Sequence, residues 1–368
     1  MNTTIKNTAT RTEADLLGQR EVPAEALYGI QTLRAIENFN ISGRKMSAYP
    51  NFIRGMAITK RAAALANEEV GMISPAQSHA IQEACVELEK GLHHEHFPID
   101  MIQGGAGTST NMCANEVIAN LALEKMGHQR GEYQYCSPND VVNASQSTND
   151  AYPCAIHMAM FLEHEQLLPH LESLIKSFDT KSNEFANVIK MGRTQLQDAV
   201  PMTLGQTFGA FAASLRGEIR NLNLSAREFL TVNMGATAIG TGICSRPGYS
   251  DAVIKHLCHI TGWNIRLADN LIEATSAVSC MIQYSSALKR LALKINKICN
   301  DLRLLSSGPR CGLNEIHLPE RQPGSSIMPG KVNPVIPEVM NQVCYRVIGN
   351  DMTISFASDN GQDRKSVV

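Results

Sequence analysis

Aromatic side chains make up only 5% of the 368 residues, with a single tryptophan, while Ala, Leu, Ile and Met abound. That balance favours helices over sheets. Neither sign of charge is in excess: 33 basic residues face 35 acidic ones, net −2, so nothing points to nucleic acid or an anionic membrane surface. No apolar run approaches membrane-spanning length, and Met1 to Glu21 is polar and charged, without the apolar stretch of a signal peptide. A cytoplasmic protein is therefore expected. Ten cysteines are scattered without a C-x-x-C pair or a dense cluster, which argues against a disulfide scaffold and for reduced, mostly buried thiols. The length allows a large core and, taken alone, two or three domains.

Against that plain background one stretch stands out. Residues 322 to 334, Gln-Pro-Gly-Ser-Ser-Ile-Met-Pro-Gly-Lys-Val-Asn-Pro, contain three prolines and two glycines, so they predict a loop. Ser325, Ser326, Lys331 and Asn333 within it suit the capture of a carboxylate, and Ser325 could attack or accept a proton. Composition leaves an incidental surface loop equally open. Other polar loops follow the same pattern. Gly104 to Thr110 is a small-residue turn before a helix-like run, without the Gly-Lys-Ser/Thr ending of a nucleotide loop, and either caps the helix or offers N–H groups to an anion. Asn143 to Asp150 carries one methyl among eight residues, so it must be solvated or face a polar ligand. Met191 to Pro201 reads as a third polar loop, and Asn233 to Ile243 as a Gly/Ala/Thr-rich fourth. His93-His94-Glu95-His96 raises a metal reading, but the residues are too crowded to ligate one ion from one helix face; a solvated helix end is expected and no metal ligand is assigned.

Helix-like periodicity covers 56–70, 76–92, 111–126, 155–188 and 203–232. The clearest pattern runs Ala277, Met281, Tyr284, Leu288, Leu291, Ile295, Ile298, Leu302, Leu305, stepping by three and four. Taken from Asp269 to Ser307 it predicts the longest helix, about 55–60 Å, too long for the interior of one compact domain and suited to an extended bundle shared between subunits, with a single-chain bundle as the alternative.

Gly324 to Asn333 resembles the signature of the aspartase/fumarase superfamily. Glu21-Val22-Pro23 with Tyr28-Gly29, the Gly104 to Asn115 turn, Gln146 to Asp150, Gly192 to Pro201 and Met234 to Gly242 match the same family in order, so the resemblance spans roughly 12 to 362. Gln195, where fumarases usually place His, and Pro334 to Val343 are most similar to the branch that acts on aspartate.

The resemblance implies a mostly α fold with a small N-terminal domain, a central bundle of long helices and a small C-terminal domain. It implies elimination of ammonia from L-aspartate to fumarate through an enediolate, with Ser325 as general base. Thr108, Ser147 and Thr148 would hold the β-carboxylate; Lys331, Asn333, Asn149, Thr194 and Gln195 would bind the rest of the substrate, and Met328 would shape a mobile loop. It implies a homotetramer whose active sites draw on three subunits, no organic cofactor, and activation by Mg²⁺ in some members, at a site that cannot be placed here. A fumarase-type hydratase and an inactive truncated helical scaffold are the alternatives.

Two departures accompany the likeness. Val141 stands where relatives often have His, and little consequence is expected. Asp363 to Val368 matches nothing in the family and coincides with one frame of a common sequencing-library adapter. The expected organisation is an N-terminal, mostly helical domain over 1–146, an incomplete helical bundle over 147–362, and a non-family tail over 363–368 with the C-terminal domain missing.

Overall fold

The computed structural model describes residues 9–359, so the tail expected at 363–368 lies outside the described residues. The chain is mostly helical and divides into two compact units: residues 9–163 with 228–277, and residues 164–227 with 278–359.

The first unit opens with an antiparallel hairpin, β1 (Thr10–Asp15) and β2 (Gly18–Pro23), paired from Thr10↔Pro23 to Asp15↔Gly18. Helices α1 (Ile30–Asn38), α2 (Pro50–Glu69), α3 (Pro75–Glu89) and α4 (Thr108–Lys125) follow. Their starts follow from local chemistry: Pro50 and Pro75 occupy first-turn positions where no amide donor is needed, and Ser74 with Gln77 forms a reciprocal capping box on α3. Helix α1 has no such cap of its own. Glu116, projecting from α4, accepts from the backbone N–H groups of Gly29, Gln31 and Thr32 and from the Thr32 hydroxyl. The alanine-rich α2 packs between two apolar clusters. One joins it to α3 and α4 through Ile53, Met56, Ile81, Leu88 and Ile118; the other joins it to Ala151, Cys154, Met158, Val253 and Leu257.

Close approach of α2 to the following long helix α5 (Thr148–Glu184) depends on Gly55. A Cβ there would lie 2.3 Å from the Ala155 carbonyl oxygen, a backbone atom. Gly55→Ala is therefore expected to destabilise the chain by about 1–3 kcal/mol through overpacking, despite alanine's better helix propensity. A urea midpoint equal to that of the parent would contradict this. The unit is completed by α7 (Tyr249–Thr261), the short α8 (Leu271–Ser276) and a parallel pairing of two two-residue strands.

The second unit contains the later part of α5, the antiparallel hairpin β3 (Ile189–Thr194) and β4 (Gln197–Thr203), and helices α6 (Leu204–Ala226), α9 (Ser279–Leu305) and α10 (Val335–Asp359). The parallel pair of the first unit is β5 (Thr231–Val232) with β6 (Arg266–Leu267). Helix α9 packs on both α6 and α10. Glu218 of α6 is fully buried between Arg290 and Lys294 of α9, and Asp351 of α10 meets Lys289 and Ser285.

Two expectations change. The helix predicted over 269–307 is interrupted: α8 ends at Ser276, Ala277 is extended (φ −74°, ψ 142°), and α9 starts at Ser279. Thr275, Ser276 and Val278 are weak helix formers, and Asn270 caps a separate short helix through the Ile272 and Glu273 amides. The longest helix is α5, with 37 residues, or about 55 Å. The seam itself is real within α9: Tyr284, Leu291, Ile298 and Leu305 are buried, with Met281, Leu288, Ile295 and Leu302 half-buried between them. The polar loop predicted at Met191–Pro201 is largely a hairpin. Its two turn residues, Gln195 (φ 52°) and Leu196 (φ 64°), are both left-handed, the twist that joins antiparallel strands by two residues.

Candidate active site

The ten residues assigned to chemistry fall into two groups, one in each unit. Thr108, Ser147, Thr148 and Asn149 belong to the first; Thr194, Gln195, Ser325, Met328, Lys331 and Asn333 belong to the second.

In the first unit the Gly104 to Gly107 turn delivers the chain into α4 through left-handed residues at Gly105, Ala106 and Gly107. A Cβ on Gly107 would lie 2.5 Å from the Tyr152 ring, so glycine is required both by conformation and by space. Thr108 opens the helix, exposed, its hydroxyl donating to the Gly105 carbonyl at 2.7 Å. The N-cap, Gly107, brings no side-chain acceptor; Gln103 Oε1 instead accepts from the Thr110 amide at 3.1 Å, and the Thr108 amide donates to the Gly105 carbonyl at 3.0 Å, so the turn itself caps the start of α4.

Ser147, Thr148 and Asn149 sit at the start of α5. Asn111 of α4 donates from Nδ2 to the Thr148 hydroxyl at 3.3 Å, so the starts of α4 and α5 are joined. Behind them lies a buried polar layer. Lys60 of α2, fully buried, donates from Nζ to Asn143 Oδ1 and Gln146 Oε1, both at 2.9 Å. Asn111 and Asn115 donate to the same Asn143 oxygen. Asp150, also fully buried, accepts from four backbone amides: Ser147 at 2.9 Å, Ala151 at 2.8 Å, Gly235 at 3.2 Å and Thr237 at 2.9 Å. Asn149 adds a bond to the Ala238 carbonyl, and Asn233 one back to Asn149. The polar loops 143–150 and 233–238 thus form one hydrogen-bonded body.

Burial pushes Asp150 up to about 6 and Lys60 down to about 7. The amides of Ser147, Thr237 and Ala151 act the other way, since they bind the carboxylate form, as does the attraction between Lys60 and Asp150. Asn111, Asn115 and Asn143 lie within or at the ends of the polar stretches that the sequence marks, whereas Lys60 lies outside them. Lys60 carried a signal: its helical neighbours Met56, Ala57, Ala63 and Ala64 are apolar, which places a charged residue on a buried face.

In the second unit the 322–334 loop is closed at its base. Gly324 N–H donates to the Lys331 carbonyl at 2.7 Å and Lys331 N–H to the Met328 carbonyl at 3.2 Å. A Cβ on Gly324 would lie 2.7 Å from that Lys331 oxygen, so a side chain there would open the loop. Ser325 and Asn333 are half-buried, Met328 and Lys331 exposed. The Ile327 N–H donates to Ser325 Oγ at 3.2 Å, a contact that strengthens as charge develops on that oxygen. Thr194 and Gln195 are exposed at the end of the β3–β4 hairpin. Glu315 anchors that hairpin, pairing with Arg193 and, at 3.2 Å, with Lys190.

Among the described residues the one group of three His, Cys, Asp or Glu side chains close enough to share a metal ion is His93, Glu95 and His96. Two imidazoles do not suit Mg²⁺, which takes oxygen ligands, so no step is derived through that ion.

Residues 18–349 match the family described as lyase. The chain is 59% identical to an aspartate ammonia-lyase of Pseudomonas canavaninivorans over 359 residues, 97% of this chain and 76% of that protein. It is 56% identical to the aspartate ammonia-lyase of Escherichia coli K12, over 97% of this chain and 75% of that protein. Among solved structures, a Brucella melitensis fumarate lyase:delta crystallin bound to cobalt superposes with TM-score 0.95 at 52% identity, over 97% of this chain and 78% of the other. A class II fumarase from Schistosoma mansoni superposes with TM-score 0.92 at 36% identity, again over 97% and 78%.

Proposed function

The chain belongs to the aspartase/fumarase lyase family, and on that basis we propose that it is a carbon–nitrogen lyase that reversibly eliminates ammonia from L-aspartate to give fumarate. The observation that carries this is the difference in likeness: 56–59% identity to proteins named aspartate ammonia-lyase against 36% to a named fumarase.

In this reading Ser325, as an alkoxide, takes the Cβ proton. The electron pair spreads onto the β-carboxylate as an enediolate, then forms the C=C bond as C–N breaks and ammonia leaves. A serine oxygen is a poor base in water, so its charge needs nearby donors; the Ile327 amide is one and Lys331 is assigned as another. Thr108, Ser147 and Thr148 donate to the enediolate oxygens, the places where charge grows during the reaction. Lys331, Asn333, Asn149, Thr194 and Gln195 hold the α-carboxylate and ammonium, and Met328 shapes the loop that excludes water. No organic cofactor has a part in this chemistry.

Assembly as a homotetramer, with each site drawing on three subunits, completes the proposal. It is supported by the apolar residues left exposed along α10, among them Ile336, Val339, Val343, Met352 and Phe356. No helix among the described residues is long and apolar enough to cross a membrane, and a cytoplasmic location fits the proposed substrate.

The test is a size-resolved assay. Fractions of purified chain are supplied separately with L-aspartate and L-malate while fumarate absorbance is followed. Activity on aspartate confined to tetrameric fractions is expected. Preference for malate would favour the hydratase reading, and activity in monomeric fractions would remove the shared-site assembly.

A further inference from the structure

We propose that the turn bearing His93, Glu95 and His96 is a binding site for a borderline transition ion, such as Zn²⁺, Co²⁺ or Ni²⁺, separate from the residues assigned to aspartate chemistry. Crowding on one α-helical face, the objection raised from sequence, does not apply, because α3 has ended at Glu89. His94–His96 is a single 3₁₀ turn preceded by His93 in the left-handed region (φ 63°). Three residues per turn bring positions three apart onto one edge, and the His93 and His96 ring centroids are 6.4 Å apart. The ligand atoms of His93, Glu95 and His96 all lie within 4.8 Å of one another. Two imidazoles and one carboxylate are a donor set for borderline ions rather than for Mg²⁺ or Ca²⁺.

The surroundings decide which nitrogens bind. Glu87 Oε2 stands 3.0 Å from His93 Nε2, and Lys125 Nζ holds the other Glu87 oxygen at 2.5 Å. His93 can therefore donate Nε2–H to Glu87 and present Nδ1 to an ion, the carboxylate–histidine–metal arrangement that orients a ligand ring. His96 is set differently. The Leu27 amide donates to its Nδ1 at 3.3 Å, while Nε2 lies 3.7 Å from Glu95 Oε1. An ion that takes Nε2 moves that nitrogen's proton to Nδ1 and displaces the Leu27 N–H. Binding is therefore weaker than at a closed structural site and is coupled to the Leu27 amide.

The test uses the full chain with accessible thiols alkylated, since Cys244 and Cys311 are exposed and would compete. Co²⁺ is titrated and its visible absorption followed. The variants are Glu95→Gln, whose side chain is 72% exposed, and His93→Asn, which tolerates a left-handed backbone. A saturable 1:1 spectrum is expected, weakened about tenfold or more by either variant, with faster hydrogen exchange at Leu27 when the ion is bound. His79→Ala, a histidine in an exposed pair with Glu83, is expected to leave the titration unchanged. No saturable spectrum, unchanged affinity in His93→Asn, or equal weakening by His79→Ala would each overturn the site. None of these readouts depends on turnover, so their failure leaves the aspartate reading untouched.

Discussion

Replacing Ser325 by alanine is expected to lower the rate of fumarate formation from L-aspartate by about 10²–10⁴-fold, the range associated with losing a positioned general base. The substitution removes one half-buried hydroxyl whose observed partner is the Ile327 amide within the same loop, so little change in stability accompanies it. The loop stays closed by the Gly324 to Lys331 bond, which involves only backbone atoms. A base contributes to the proton-transfer step more than to substrate capture, so the loss belongs in kcat with KM changed little. Ser326→Ala is the matched control: it removes the adjacent, exposed hydroxyl and is expected to retain most activity. Full activity in Ser325→Ala, or an equal loss in Ser326→Ala, would reject the assignment.

The second large effect concerns stability. Asp150→Ala would leave the amides of Ser147, Ala151, Gly235 and Thr237 without their shared acceptor and Lys60 without the carboxylate that offsets its burial. Removing one side of such a buried arrangement costs about 3–5 kcal/mol, a large fraction of the 5–15 kcal/mol by which a folded chain is stable. The loss should appear as a lower urea midpoint. It should also appear as reduced activity in whatever folded protein remains, because loops 143–150 and 233–238 are fixed to one another through this carboxylate. Asp150→Asn separates the two terms. It keeps the volume and one acceptor oxygen but turns an amide NH₂ toward backbone donors, so it is expected to destabilise nearly as much. A midpoint shift near zero in both variants would show that the four contacts contribute little net stability.

Much of the architecture was legible residue by residue. The Ala- and Leu-rich periodicity located α2, α3, α4 and α6, and the step of three and four along α9 named a row that is buried at Tyr284, Leu291, Ile298 and Leu305. The dense prolines and glycines of 322–334 marked a loop, and a loop is there. Where the structure departs from the sequence pattern, the causes are local. A periodic apolar pattern continued across Ser276 and Ala277, but periodicity reports which face is apolar and not whether the backbone stays helical between two caps. At Gln195 and Leu196 both residues hold left-handed dihedrals without being glycine, a strain the surrounding strands must impose.

The sequence by itself determined that this is a helical chain with chemically unusual loops and, through the order of those loops, its membership of the aspartase/fumarase family. Those properties reside in short segments, where propensity, turn chemistry and motif spacing act over a few residues. Only the tertiary structure decided which distant groups satisfy one another. Glu116 caps a helix 84 to 87 residues earlier in the chain, and Asp150 binds amides 85 and 87 residues later. A buried carboxylate must find donors somewhere, but desolvation does not specify which. That choice falls to the packing of α2, α4 and α5, which brings groups of large sequence separation within hydrogen-bonding distance.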